Sequence, residues 1–304
     1  MRFRFVLCAA VLAIAPESAP AQDFSGVEIK IEKLAPGVAV LFGAGGNIGL
    51  SYGEDGNVVI DDQFAPLTGK IVAAIHTLDA DPVKFVINTH WHGDHTGGNA
   101  HLGQAGAVII AQDNVRARLA TQQLLKGEKI PPSPKAALPV ITYSNGVTVH
   151  LNGDDLRVIH VANAHTDGDS LIRWTKADVL HMGDTFWHGD SFPFIDLESG
   201  GSIDGMIAAA GKGIELADAG TKIIPGHGTV GTRADLIAFR DMLKDIRDKV
   251  AAGIKAGRSL DRIKGSKPTA KYGLPNGFIK PDEFVETVYK SLKNPPKSVG
   301  SHAH

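Results

Sequence analysis

Short apolar runs, punctuated by glycine, proline and asparagine, dominate the chain immediately after residue 24. Runs of this kind predict strands, and their close spacing predicts an antiparallel meander. Similar runs recur further along the chain, again bounded by turn residues. The predicted strands span residues 27–34, 38–42, 48–52, 57–61, 83–87, 107–111, 140–143, 147–151, 156–160, 170–174, 179–183 and 222–225.

Helical periodicity first appears at residues 67–78, where three aliphatic side chains fall on one face. A helix is also predicted at 113–125, with Asp113 as its N-cap. Four prolines within 127–139 predict a surface loop. Further helices are predicted at 99–102, 203–217, 233–256, 259–264 and 281–292.

Strands and helices thus form two blocks of similar content, each a strand meander followed by helices. Two sheets packed face to face with helices outside would bury both blocks, which predicts an α/β fold of the four-layer αββα sandwich type. Because no linker separates the blocks, we expect a single domain over residues 24–293, with the C-terminal helices of 233–292 packed on it. The polar tail at 294–304 is predicted to be disordered.

The N-terminus has the pattern of a secretory signal peptide. Two arginines precede an apolar run at residues 5–15, and a small-residue cleavage site ends at Ala21. Residues 1–21 therefore predict a secreted or periplasmic protein with no membrane association after cleavage, since the run is too short to span a bilayer. The only cysteine, Cys8, lies in this segment, so the mature chain would have neither a disulfide nor a thiol ligand.

The composition and net charge of the chain limit the classes of partner that it is expected to bind. The 304 residues are 43% hydrophobic and 21% charged, which is ordinary for a globular protein. The formal net charge is -2, and lysine and arginine are not clustered. A nucleic-acid partner would need a basic stripe, so none is expected. The oligomeric state is left open by the sequence.

Candidate metal-binding side chains are most concentrated in residues 87–98, Ile-Asn-Thr-His-Trp-His-Gly-Asp-His-Thr-Gly-Gly, at the end of a predicted strand. Three imidazoles and one carboxylate fall within six residues, and each can bind a divalent cation when unprotonated. In an extended loop, alternation would put His90, His92 and Asp94 on one side, while His95 would point away. That arrangement suits two neighbouring metal ions better than one.

Three more candidate ligands fall at the ends of predicted strands, where sites on layered α/β proteins collect. They are His165, Asp184 and His227, each in a short polar or glycine-rich context. Taken singly, each is a weak candidate, because a histidine at a strand end is often a hydrogen-bonded structural residue. Together they supply the ligands that a two-metal site at residues 90–95 still lacks.

These motifs resemble the metallo-β-lactamase superfamily. The resemblance rests on the His-x-His-x-Asp-His loop, Ala-His-Thr-x-Gly-Asp around the later histidine, a Gly-Asp strand end and Gly-His-Gly, and it covers residues from about 28 to about 250. It implies two zinc sites joined by a bridging carboxylate. The ligands it implies are His90, His92 and His165 for one zinc, Asp94, His95 and His227 for the other, and Asp184 between them.

The same resemblance implies a mechanism. Two zinc ions about 3.5–4 Å apart can share a hydroxide that acts as the nucleophile near neutral pH. Asp94 would both coordinate and orient that hydroxide, and iron or manganese would also suit an all-His/Asp ligand set. Asp61 or Asp62 could hold a ligating histidine in its tautomer, and a simple turn role is the alternative for both. Trp187 is a weaker candidate for a residue that contacts a small-molecule substrate.

Departures from the best-known zinc β-lactamases limit the activity that can be inferred. Those enzymes carry cysteine where this chain has Asp184, lack the histidine at His95, and place a lysine just after the cysteine position, which this chain does not. The ligand set looks like that of the thioesterase and lactonase branches. The signal peptide and residues 183–196, by contrast, look like periplasmic lactamase-like relatives.

We therefore expect a binuclear zinc hydrolase of amide or ester-type carbonyl bonds, with β-lactams as the first substrates to test. The alternatives within enzymes are a thioesterase of the glyoxalase II type and a lactonase. The alternative outside enzymes is a non-catalytic metal-binding protein on the same fold.

Overall fold

The structure is a computed structural model that describes residues 23–296. The predicted signal peptide at residues 1–21 lies outside the described residues, as does most of the predicted tail.

In chain order the strands are β1 (Lys30–Ala35), β2 (Val38–Phe42), β3 (Ile48–Ser51), β4 (Asn57–Ile60), β5 (Val83–Ile87), β6 (Val108–Gln112), β7 (Gln123–Leu125), β8 (Glu128–Ile130), β9 (Ile141–Tyr143), β10 (Gly146–Leu151), β11 (Asp154–His160), β12 (Ser170–Trp174), β13 (Val179–His181), β14 (Trp187–His188), β15 (Lys222–Ile224) and β16 (His227–Gly228).

Helices make up most of the remaining regular structure, together with four short 3₁₀ turns. In chain order they are α1 (Thr68–His76), α2 (Gly93–Thr96), α3 (Asn99–Gln104), α4 (Asp113–Leu119), α5 (Ile203–Leu216), α6 (Arg233–Lys255), α7 (Leu260–Gly265) and α8 (Pro281–Lys293). Within residues 23–296, none of these helices combines the length and apolar composition needed to cross a bilayer.

The first sheet has seven strands in the order β1-β2-β3-β4-β5-β6-β9. Strands β1 to β4 form the predicted antiparallel meander, and β4, β5, β6 and β9 run parallel to one another. Every residue of β3 and β4 is buried, as expected for central strands covered on both faces.

The second sheet has five strands in the order β10-β11-β12-β13-β15. Strands β10 to β13 are antiparallel, and β15 joins β13 in parallel. The edge strand β10 alternates between exposed and half-buried residues, which is the pattern of a strand with one wet face.

Three apolar clusters define four layers. Ile87 of the first sheet and Trp174 and Ile224 of the second lie in one cluster between the two sheets. Helix α1 packs Ile71 and Ile75 against the outer face of the first sheet. Helices α5, α6 and α8 cover the outer face of the second sheet. The predicted αββα sandwich is therefore confirmed.

Helix α6 shows how the sequence specifies the outer layer. Thr232 and Asp235 form a reciprocal capping box at its start, satisfying backbone donors that have no partner within the helix. Leu236, Leu243 and Val250 recur every seven residues and are all buried against the second sheet. The charged residues lie on the opposite face, as the amphipathic pattern predicts.

The stretch after β6 differs from the sequence prediction. Helix α4 ends at Leu119 instead of residue 125, and its N-cap is Gln112, whose side chain accepts from Asn114 N, so the predicted Asp113 cap is wrong. Strands β7 and β8 then pair around a two-residue turn within what was predicted as helix and loop. The hairpin forms because its apolar side chains pack on Trp91 and α4, a tertiary contact that local propensity does not contain.

Candidate metal centre

The candidate ligands lie where strands end. Asp61 follows β4 and His90 lies just beyond β5, and these two strands are parallel neighbours in the first sheet. Asp184 lies beyond β13 and His227 beyond β15, which are parallel neighbours in the second sheet. Since the carboxyl ends of parallel strands share one edge, each sheet delivers its polar residues to one place. The two packed sheets bring those places together.

The segment at residues 90–95 is not the extended loop that alternation assumed. Residues 93–96 form a helical turn, α2, in which the amides of His95 and Thr96 both donate to the carbonyl of His92. The expectation that His95 points away is therefore wrong. The helical turn directs its fully buried ring toward Asp184.

Three histidines form the first candidate ligand group. One ligand nitrogen from each of His90, His92 and His165 lies within 4.8 Å of the others. His92 Nδ1 is 2.9 Å from His165 Nε2, and all three rings are buried. We call this group the histidine trio.

A second group combines one carboxylate with two imidazoles and is called the acidic trio below. Its members are Asp94, His95 and His227, whose ligand atoms also lie within 4.8 Å of one another. His227 Nε2 is 3.2 Å from Asp94 Oδ2 and 3.4 Å from His95 Nε2.

Asp184 lies between the two trios. Its Oδ1 is 3.1 Å from His95 Nε2, and its Oδ2 is 3.6 Å from His165 Nε2. Glycine is required at Gly226, because a Cβ there would overlap Asp184 Oδ1. The structure thus brings all seven residues that the sequence singled out into one cluster.

Three of the histidines have a hydrogen-bond partner for the nitrogen that faces away from the cluster. His95 Nδ1 is 2.7 Å from Asp61 Oδ2, and His92 Nε2 is 2.9 Å from Asp196 Oδ2. The backbone carbonyl of Phe194 lies 2.8 Å from His165 Nδ1. Such partners select the tautomer that leaves the inward nitrogen free for a metal.

Only one of these carboxylate partners was foreseen. Asp61 was a candidate together with Asp62, but Asp62 accepts from the amide of Gly98 instead of holding a ligand. Asp196 was missed, because a carboxylate in an irregular loop has no local signal that separates it from a turn residue. It comes three residues before Ser199, whose amide donates to its second oxygen.

Burial dominates the charge state of two members of the histidine trio, His90 and His165. It lowers the pKa of His165 to about 4. Burial, reinforced by the charges of His95 and His165, also holds the pKa of His90 well below its ordinary value. Both rings are therefore neutral at pH 7, as a metal ligand must be.

The acidic trio has the opposite balance. Burial works against the charge of Asp94, yet His95 and His227 lower its pKa to about 2. Burial also disfavours the charged form of His227 and so lowers its pKa. The carboxylates of Asp184 and Asp94 outweigh burial and raise that pKa to about 9. This part of the cluster strongly favours positive charge, which a divalent cation supplies.

Two buried atoms indicate that cations fit the site. Among the residues described, His90 Nε2 is a buried nitrogen with no hydrogen-bond partner, and Asp184 Oδ1, although 3.1 Å from His95 Nε2, accepts no hydrogen bond of good geometry. Unsatisfied groups of this kind are costly unless an ion or ligand engages them. The histidine trio supplies nitrogen donors and the acidic trio supplies nitrogen and oxygen donors, and zinc binds both types.

A cavity of about 790 Å³ opens over the cluster. Asp94, Asp184 and His227 line its floor, and aromatic rings form its walls. The Trp187 ring stacks on His227 with centroids 4.4 Å apart, and Phe278 lies parallel to Trp187 at 6.2 Å. The sequence pointed weakly to Trp187 and gave no indication of Phe278.

The fold and the cluster define a class of protein, and the relationship to known families agrees. The family model described as the metallo-beta-lactamase superfamily matches residues 42–243. The chain therefore belongs to the metallo-β-lactamase superfamily. It is a metal-dependent hydrolase.

Individual relatives are distant. A hydroxyacylglutathione hydrolase of Anaeromyxobacter dehalogenans (strain 2CP-C) is 26% identical over 227 residues, which cover 68% of this chain and 78% of the relative. A metallo-beta-lactamase from Pontibacter korlensis has the same fold, with a TM-score of 0.61, 17% identity, and coverage of 72% of this chain and 100% of its own. The DIM-1 metallo-beta-lactamase gives a TM-score of 0.59 at 19% identity, covering 72% and 98%.

Proposed function

We propose that this protein is a binuclear metallohydrolase that cleaves ester- or amide-type carbonyl bonds, with zinc as the expected metal. The observation that carries the proposal is the pair of trios with Asp184 between them. A single structural metal would need four closed ligands, whereas seven convergent donors beside an open cavity suit two ions with exchangeable positions.

The histidine trio would hold one ion through His90 Nε2, His92 Nδ1 and His165 Nε2. The acidic trio would hold the other through Asp94 Oδ2, His95 Nε2 and His227 Nε2, and Asp184 would bridge the two. Iron or manganese would also fit nitrogen and oxygen donors, so the ligand set alone does not select zinc.

When bound, two such ions supply a Lewis acid for the carbonyl and a nucleophile from water at neutral pH. Asp94 is the ligand best placed to act on the reacting water. Its side chain is 28% exposed and lines the cavity, whereas its neighbour His95 is fully buried. With a pKa of about 2, Asp94 is ionised at neutral pH, so its Oδ1 can accept a hydrogen bond from an attacking oxygen and orient it.

The cavity walls would bind the rest of the substrate. Trp91 is held by a hydrogen bond from its Nε1 to Ser199 Oγ, and Trp187 is fixed by stacking on His227. Both rings, with Phe194, offer apolar surface that excludes water around the scissile bond. Acyl compounds with an apolar portion therefore fit better than fully polar ones.

Thioester hydrolysis is the second candidate. The hydroxyacylglutathione hydrolase relative favours it. The residues after Asp184 also favour it over lactam cleavage, because Thr185, Phe186 and Trp187 include no lysine to hold a lactam carboxylate. We further propose a secreted or periplasmic location, which rests only on the signal-like pattern of residues 1–21.

The test uses zinc-loaded mature protein with nitrocefin, an acyl thioester and a lactone as substrates. We expect turnover of at least one substrate and a loss of at least about 100-fold in kcat for Asp94→Ala, because the variant loses a candidate metal ligand that also orients the attacking oxygen. The control is Asp248→Ala, an exposed acid on α6. Absence of turnover with every substrate, or full activity in Asp94→Ala with an unchanged circular dichroism spectrum, would contradict the proposal.

A further inference from the structure

Lys126 occupies an unusual place at the tip of the β7–β8 hairpin. Its backbone φ is 51° and that of Gly127 is 81°, so the two residues form a turn of the type I′ kind. This turn carries the lysine over the mouth of the cavity, whose lining it joins. Among the described lining residues, Lys126 is the one lysine or arginine.

The ammonium of Lys126 faces aromatic rings instead of a carboxylate. Its Nζ lies 4.3 Å from the ring centroid of Phe278 and 4.7 Å from that of Phe194. Glu198, which comes close to the hairpin tip, accepts from the amide of Gly127 at 3.5 Å. The cation therefore rests on two rings at the entrance to the site.

This resting contact is easily exchanged. A cation–π contact at an exposed position is weaker than a charge-assisted hydrogen bond between the ammonium and an anion that the same rings partly shield from water. An anionic group that reached the cavity mouth would thus take the ammonium from the rings.

We propose that Lys126 is a specificity-determining residue that binds a carboxylate of the acyl substrate, while the aromatic walls bind the apolar part. This inference rests on the proposed hydrolase function and adds the substrate class. One lysine suits a singly charged group better than a phosphate dianion, because no second cation of the described lining could share the charge.

The rings also set the distance between the two recognised groups. The Phe194 ring, which Lys126 covers, has its centroid 5.9 Å from that of His92 and 5.7 Å from that of His165. A single aromatic ring therefore separates the ammonium from the histidine trio. The substrate should carry its carboxylate about one phenyl group away from the scissile carbonyl.

The kinetic test compares two thioesters whose acyl group carries an aromatic ring. One has a carboxylate at the para position of that ring, and the other has the neutral carboxamide there. In wild type we expect kcat/KM to favour the carboxylate. Lys126→Met keeps the aliphatic stem and removes the charge, so the preference should fall by about tenfold or more, mainly through KM, as for loss of one charge-assisted hydrogen bond. Lys126→Arg should retain most of it. Lys129→Met, on the exposed face of the same hairpin, is the matched control and should not change it.

A binding test does not depend on turnover. Biphenyl-4-carboxylate and its carboxamide are titrated into metal-free protein, and quenching of tryptophan fluorescence is followed, since Trp91 and Trp187 line the cavity. Wild type should prefer the carboxylate, and Lys126→Met should lose that preference.

The outcomes separate the two proposals. If wild type and Lys126→Met show the same preference in both assays while both thioesters are turned over, the role of Lys126 is refuted and the hydrolase proposal stands. If neither thioester is turned over but the binding preference depends on Lys126, the carboxylate site is supported and thioester hydrolysis is refuted. A loss of preference in Lys129→Met equal to that in Lys126→Met would show a general charge effect and overturn the assignment.

Discussion

Replacing Asp61 by asparagine should weaken metal binding at the site proposed for the acidic trio without unfolding the protein. Asp61 is fully buried, with Oδ1 accepting from the amide of Thr89 at 2.7 Å. Its Oδ2 lies 2.7 Å from both Thr89 Oγ1 and His95 Nδ1. The backbone φ of Asp61 is 64°, a left-handed conformation that asparagine tolerates about as well as aspartate. Asparagine is therefore the isosteric test.

The expected magnitude follows from the tautomer of His95. If the new amide keeps its oxygen on the Thr89 amide, its nitrogen faces His95 Nδ1 and donates to it. The imidazole proton then moves to Nε2, the nitrogen that lies 3.1 Å from Asp184 Oδ1. Metal binding at Nε2 requires the proton on Nδ1, so the Nδ1 proton would then face the NH₂ group of the new asparagine, and two donors would oppose each other. The lost buried hydrogen bond would cost about 1–3 kcal/mol. Metal affinity at the acidic trio should fall about 10- to 100-fold.

The assay is a competition titration of metal-free protein with Zn²⁺ against a chromophoric chelator. Wild type should take up two equivalents, and Asp61→Asn should weaken one step by the expected factor. Asp62→Asn is the control, because burial raises the pKa of Asp62 well above its usual range and the neutral amide resembles that state. Two unchanged binding steps in Asp61→Asn would refute the reasoning, as would an equal loss in the control.

Two further predictions concern stability. Removing metal with a chelator should lower the Tm, because an ion that binds only the folded chain adds about 2.7 kcal/mol when present at 100 times its Kd; melts with and without zinc check this, and coincident curves would contradict it. Lys264 and Lys290 lower the pKa of Glu286 to about 2 in the folded protein. These exposed ion pairs contribute at most about 1 kcal/mol to the free energy of unfolding. That contribution is complete above pH 4.5, the pKa of Glu286 in the unfolded chain, and is lost as the pH falls toward 2. The difference in urea midpoint between wild type and Glu286→Gln should therefore shrink from about pH 6 to about pH 2.5, and a constant difference would be evidence against this account.

The sequence predicted the cluster well because its signals are local. The 90–95 segment concentrates ligand chemistry within six residues, and His165, Asp184 and His227 each follow a recognisable strand. Most of the sandwich was also predictable, because runs such as β3 and β4 are apolar throughout and the long helix α6 has a clear periodicity. In these places local propensity and tertiary burial favour the same structure.

The cavity walls could not be predicted in the same way. Strands β7 and β8 have three residues each, too few for a period of two to be distinguished from the end of a helix. Phe278 reaches Trp187 from the segment before α8, and Asp196 reaches His92 from 104 residues away in the chain. These contacts depend on loop conformations that only the assembled fold determines.

The division of the ligands between the sheets links metal binding to the packing of the sandwich. The loop after β5 supplies four candidate ligands from the first sheet, and the second sheet supplies the candidates His165, Asp184 and His227. Ile87 and Ile224, at the ends of β5 and β15, are fully buried in the same cluster between the sheets. Side chains of this size contribute about 1.5–3 kcal/mol each when buried. Since the loops after β5 and β15 begin at these two anchors and each trio takes residues from both sheets, the apolar contact between the sheets sets the distances within each trio. A cation bound by ligands from both sheets would stabilise that same contact.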